Sequence, residues 1–155
     1  MSMNAGTQIS VAEYLRTSFP DGDREYVDGE VLERNMGEIE HGNLQGRLYL
    51  YLMTHYSGTQ AAPATRVQVR PLRFRVPDVV VVAGRMPSGR VITEPPLLAI
   101  EVLSRDDRTD KVQVNPRTRQ GYVHTAEGSR PARDGILRTS EPVLEVPLAA
   151  LFEGA

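Results

Sequence analysis

The chain has 155 residues, 18 basic and 20 acidic side chains, 40% hydrophobic and 25% charged residues, and neither Cys nor Trp. These values fit one globular domain and exclude wholesale disorder, disulfides, thiolate metal sites and cysteine nucleophiles. No apolar run is longer than Val79–Ala83, which is too short to span a bilayer, and no basic-then-apolar stretch opens the chain, so a cytoplasmic location is expected.

Charge is unevenly spread. Residues 1–59 hold four Arg and nine acids, residues 60–140 hold thirteen Arg, Lys111 and eight acids, and residues 141–155 add three acids. A basic body between acidic ends can meet phosphates, or it can be a solvated surface in an Arg-rich chain. Lys111 is the single lysine beside seventeen arginines.

In chain order, Ser10-Val11-Ala12-Glu13 is a capping box that opens a short helix to about Thr17. Asp28-Gly29 between Glu25-Tyr26-Val27 and Glu30-Val31-Leu32 predicts a hairpin whose second strand runs to about Met36. His41 to Tyr56 reads as an amphipathic helix with Leu44, Leu48, Leu52 and His55 or Tyr51 on one stripe, His55 being read as a core-edge histidine. Residues 61–65 read as loop, Arg66–Arg70 as a half-buried strand, and Pro71–Pro77 as an Arg-rich connector. Arg66, Arg70, Arg73 and Arg75 are candidates for a phosphate-binding face, the alternative being charge along a sheet edge.

Val79–Val82 predicts a strand covered on both faces, Gly84–Pro96 a loop, and Leu97–Leu103 a second central strand. Gly121–Thr125 alternates as a strand, Arg130–Leu137 carries turn residues, and Val143–Val146 suits an edge strand. Pro147 can open a last short helix through Phe152. The two apolar runs beside one amphipathic helix predict a mixed α/β sheet with that helix packed on one face.

Two acids stand where these strands should be apolar. Asp78 precedes Val79–Val82, and Glu101 interrupts Leu97–Leu103. An antiparallel pairing centred between Gly89 and Arg90, in good turn chemistry, sets Asp78 opposite Glu101. Opposed like charges are destabilising unless a cation sits between them, and hard divalent cations take carboxylate oxygens. The competing reading pairs each acid with an arginine such as Arg73, Arg75 or Arg105.

Val76-Pro77-Asp78-Val79 followed by Ile100-Glu101-Val102-Leu103-Ser104 resembles the Uma-type restriction-endonuclease-like proteins of bacteria, within the PD-(D/E)XK nuclease superfamily. Tyr26-Val27-Asp28-Gly29-Glu30 is similar to that family's opening hairpin, and His41 to the start of its first core helix. Asn115-Pro116-Arg117-Thr118-Arg119 with Tyr122-Val123-His124-Thr125 is similar to its late hairpin, and Glu141 to Phe152 to its closing tail. The resemblance implies a single α/β (α+β) domain over residues 1–155. Its central mixed sheet would be flanked by helices, with an N-terminal hairpin and a late C-terminal hairpin.

Carried over residue by residue, Asp78 and Glu101 match metal-binding acids. With the backbone carbonyl of Val102 they would hold Mg²⁺ or Mn²⁺. Leu103 stands where the superfamily's Glu-x-Lys has its lysine, so Lys111 is the catalytic candidate. Glu30 and His41 match positions that support the site. The implied partner is DNA, with no membrane and with room for a homodimer. One departure concerns continuity. In the family a helix and an apolar strand precede the Asn/Asp-Pro turn, whereas here Val114-Asn115-Pro116 follows Gln113 at once, so residues are expected to be missing near 112–115.

The resemblance leaves two functions: a Mg²⁺-dependent endonuclease cutting DNA, and a catalytically inactive nuclease-fold module for DNA binding or assembly.

Overall fold

The computed structural model describes residues 8–20, 22–33, 38–102, 113–115, 120–125, 128–138 and 143–152. Helix α1 (Val11–Arg16) starts where the capping box requires, with the Ser10 hydroxyl accepting the Glu13 N–H at 3.2 Å. Strands β1 (Glu25–Val27) and β2 (Glu30–Leu32) pair antiparallel through Asp28 and Gly29, at φ 51 and 102. Positive φ at both central residues is what a two-residue hairpin turn of this hand needs. The expected extension of the second strand to Met36 falls partly on residues 34–37, outside the described residues, and β2 itself ends at Leu32.

Helix α2 (Ile39–His55) buries Leu44, Leu48 and Leu52, the stripe predicted from helical spacing. His55 is exposed rather than at the core edge, its ring stacked at 4.0 Å on Tyr51, which is the residue that packs against the core. Two readings of the next segments need correction. Ala61–Pro63, expected as loop, belong to β3 (Thr59–Pro63), whose Ala and Pro have weak strand propensity but gain a full ladder on the central strand beside it. Pro63 is tolerated because β3 lies at a sheet edge. The Arg-rich connector is largely β5 (Arg73–Arg75), which pairs with β4 (Val67–Arg70) and with β1. Its alternation, with Phe74 buried between two less buried arginines, is the pattern of a half-buried strand.

The two central runs are strands β6 (Val79–Ala83) and β7 (Leu98–Val102), adjacent and antiparallel. Then follow β8 (Gln113–Asn115), β9 (Gln120–Thr125), β10 (Gly128–Pro131), β11 (Ile136–Arg138), β12 (Glu145–Pro147) and α3 (Leu148–Phe152). Part of the segment read as turns is therefore β10 and β11, the latter pairing with β12. The larger sheet has the order β10-β9-β8-β7-β6-β3 and is mixed, since β7 and β8 run parallel and its other neighbours antiparallel. The link from β7 to β8 lies in residues 103–112, outside the described residues, and so does Lys111. The expected loss of residues near 112–115 falls partly there. Gln113–Asn115 themselves form β8, beside Glu101 and Val102.

Helix α2 packs on one face of this sheet. Leu44, Leu48 and Leu52 share a core with Val79, Val81, Ile100, Val102 and residues of β11, β12 and α3. Val80 and Val82 face the other way, onto Val67 and Ile92. A four-stranded sheet, β2-β1-β5-β4, holds a separate aromatic core of Tyr14, Tyr26 and Phe74. Among the described residues no helix is long and apolar enough to cross a membrane.

Candidate active site

The register of the central hairpin is the one the sequence implied. Val79 pairs with Ile100, Val80 with Ala99 and Val81 with Leu98. One further step sets residue 78 opposite residue 101. Beyond that point the ladder cannot continue in the usual way, because Pro77 has no N–H to give. The Asp78 side chain takes over: its Oδ2 accepts the Val102 N–H at 2.7 Å. The acid thus closes the open end of the β6–β7 hairpin.

Asp78 is only 2% exposed, and a buried carboxylate is costly unless it is hydrogen-bonded. The second described partner comes from α2, where His41 Nε2 lies 3.1 Å from the same Oδ2. His41 reaches the acid because the leucine stripe fixes the rotation of α2, and position 41 lies three residues before Leu44. One turn after His41, Gln45 Nε2 donates to the main-chain oxygen of Asp78 at 2.7 Å. Sequence reasoning missed Gln45. The available signal was its i, i+4 spacing from His41, next to the buried stripe.

Glu101 is half-buried on β7, between Ile100 and Val102, whose side chains join the core under α2. Alternation turns its side chain from that core. Glu30, expected to support the site, is exposed on β2 in the four-stranded sheet. The structure thus brings His41 to Asp78, and the ladder's register leads residue 101 opposite residue 78, with the Glu101 side chain turned from the face that α2 covers.

The arginine readings change. Arg73 meets Asp28 at 3.2 Å, and Arg75 pairs with Glu25. Arg66 is buried, with its Nε 2.8 and 2.7 Å from the two Asp23 carboxylate oxygens. Three of the four arginines proposed for a phosphate face are therefore committed to acids within the protein, because β5 lies beside β1 and its flanking acids. Arg70 alone of the four is exposed on a strand without such a pair among the bonds described.

Two carboxylates and a main-chain carbonyl are hard oxygen donors, the set that suits Mg²⁺, which often uses one or two carboxylates and otherwise water and phosphate. Among the described residues no three His, Cys, Asp or Glu side chains converge as a metal cluster, so any fit rests on Asp78 and Glu101.

Comparison with known proteins agrees with this architecture. The profile of the Uma2 family, described as putative restriction endonuclease, matches residues 11–126. A crystal structure of a putative nuclease belonging to DUF820 from Anabaena variabilis superposes with a TM-score of 0.73 at 17% sequence identity, covering 93% of this chain and 97% of the other. That likeness establishes the shared fold. No curated protein matches the chain.

Proposed function

The chain belongs to the Uma2 restriction-endonuclease family, and from that premise we propose that it is a Mg²⁺- or Mn²⁺-dependent endonuclease hydrolysing phosphodiester bonds in DNA. The observation that carries the reading is the β6–β7 register, which leads Asp78 to the position opposite Glu101 at the end of a hairpin covered by α2. Asp78, Glu101 and the Val102 carbonyl would hold the ion. When bound, it supplies a water of lowered pKa and neutralises charge on the phosphoryl group.

The remaining roles belong to the chain's own groups. The Val102 N–H and His41 hold the Asp78 carboxylate in one orientation. An ammonium would stabilise negative charge developing on the phosphate. Lys111 is the candidate for it, in the segment that follows β7. The reading carries a cytoplasmic location and a DNA partner. The second reading, a nuclease fold that binds DNA without cutting it, is favoured by Leu103 in place of the motif's lysine.

Plasmid cleavage with Mg²⁺ or Mn²⁺ tests the proposal. The parent is expected to nick or linearise the plasmid, and Asp78→Ala to abolish this. A parent that retards plasmid DNA but never cuts it would establish the binding module instead.

A further inference from the structure

Asp78 is gripped from α2 at two points. His41 meets its carboxylate, and Gln45, one turn later, meets its main-chain oxygen. That oxygen already accepts the Ala64 N–H at 3.1 Å, as the β3–β6 ladder runs out. A buried carbonyl needs one partner, so the Gln45 bond is not required to satisfy the main chain. Its place suggests another purpose. Residue 78 is a bend before β6, and Pro77 denies it the next ladder bond toward β7. The backbone there stands just outside strand β6, yet the side chain must present a carboxylate to a fixed point. Leu44 and Leu48 lock the rotation of α2, so an amide from position 45 arrives on a rigid support.

We infer that Gln45 is a positioning residue for the divalent-ion site. It pins the main chain of Asp78 so that the Val102 N–H and His41 can hold the carboxylate in one rotamer. This rests on the nuclease reading and adds to it a residue that never touches the ion or the DNA. Groups that orient metal-binding side chains in this way are worth about 10- to 100-fold in metal affinity.

The test is Mn²⁺ binding to the full chain by isothermal titration, with the Mg²⁺ dependence of plasmid cleavage in parallel. Gln45→Met removes the donor at similar volume, and Gln45→Asn keeps the amide but is too short to reach. Both are expected to weaken Mn²⁺ binding about tenfold or more and to raise the Mg²⁺ concentration for half-maximal cleavage correspondingly. Their metal-free melting temperatures should stay close to the parent's. Unchanged Mn²⁺ affinity in either folded variant, with or without lowered melting, would reduce Gln45 to a structural role and overturn the inference. Should Gln45→Met fail to fold, Gln45→Asn decides. A parent that binds no Mn²⁺ would instead overturn the metal-dependent reading itself, and the inference with it.

Discussion

Arg66 and Asp78 are both buried charged side chains, 8% and 2% exposed, but they are held in contrasting ways. Arg66 is enclosed. Its Nε and Nη2 grip Asp23, Nη1 donates to the Tyr14 carbonyl, and Nη2 also donates to the Thr17 carbonyl. Its guanidinium lies over the Tyr14 and Phe19 rings, 4.6 and 5.7 Å from their centroids. Charge, donors and planar surface are all matched, as a structural clasp between the end of α1 and the start of β4 requires. Among the bonds of the described residues, Asp78 is held by a main-chain amide and an imidazole, with Arg73 and Arg75 engaged elsewhere. A buried charge can serve the fold by being cancelled, or serve chemistry by being oriented. The first needs an opposite charge, the second a rigid frame.

The largest effect on stability is therefore expected on the Arg66 side. Arg66→Ala leaves Asp23 without its guanidinium and takes one donor each from the Tyr14 and Thr17 carbonyls, and breaking such a pair costs about 3–5 kcal/mol. Denaturant unfolding measures it. A loss below about 1 kcal/mol would place the pair with weak surface bridges and erase the contrast with Asp78.

A smaller effect belongs to Tyr14, in the same clasp. Burial pushes its phenol up to about 12, against the lowering influence of Arg66, while Asp23 and Glu25 add to the rise. The folded state thus keeps the proton that the unfolded chain releases near pH 10. Stability from this group is complete below pH 10 and is lost as pH climbs from 10 to 12, by at most about 2–3 kcal/mol. Tyr14→Phe, which also removes the hydroxyl bond to the Arg24 carbonyl, should flatten that part of the stability profile. An unchanged alkaline slope in the variant would assign the loss to other groups.

The two regions also differ in how far they could be read from sequence. Asp78 and Glu101 stood out as acids in apolar strands, and the turn chemistry at Pro87–Arg90 was enough to predict their register. The Ser10 cap and the Asp28-Gly29 turn were legible for the same reason, since each is a local rule with a local cause. The arginine partners were not legible. Asp23 and Arg66 are 43 residues apart, and nothing local connects them. The strand β3 was hidden because its stability comes from β6 rather than from Thr59–Pro63 themselves. Gln45 was hidden because a polar residue beside a leucine stripe looks like solvent-facing helix until the strand it meets is known.

The central claim is that Asp78 is oriented to share a cation and not buried to cancel one. A thermal melt of the parent and Asp78→Asn, each with and without Mg²⁺, tests it most directly. Asparagine keeps an oxygen for the Val102 N–H while losing the charge, so metal-free stability should be spared or raised by relief of repulsion with Glu101. Mg²⁺ at a hundredfold excess over its dissociation constant should stabilise the parent by about 2.7 kcal/mol and leave Asp78→Asn unchanged. Equal gains in both proteins would mean that the ion binds elsewhere. A marked loss of metal-free stability in Asp78→Asn would show that Asp78, like Arg66, is there to neutralise a charge.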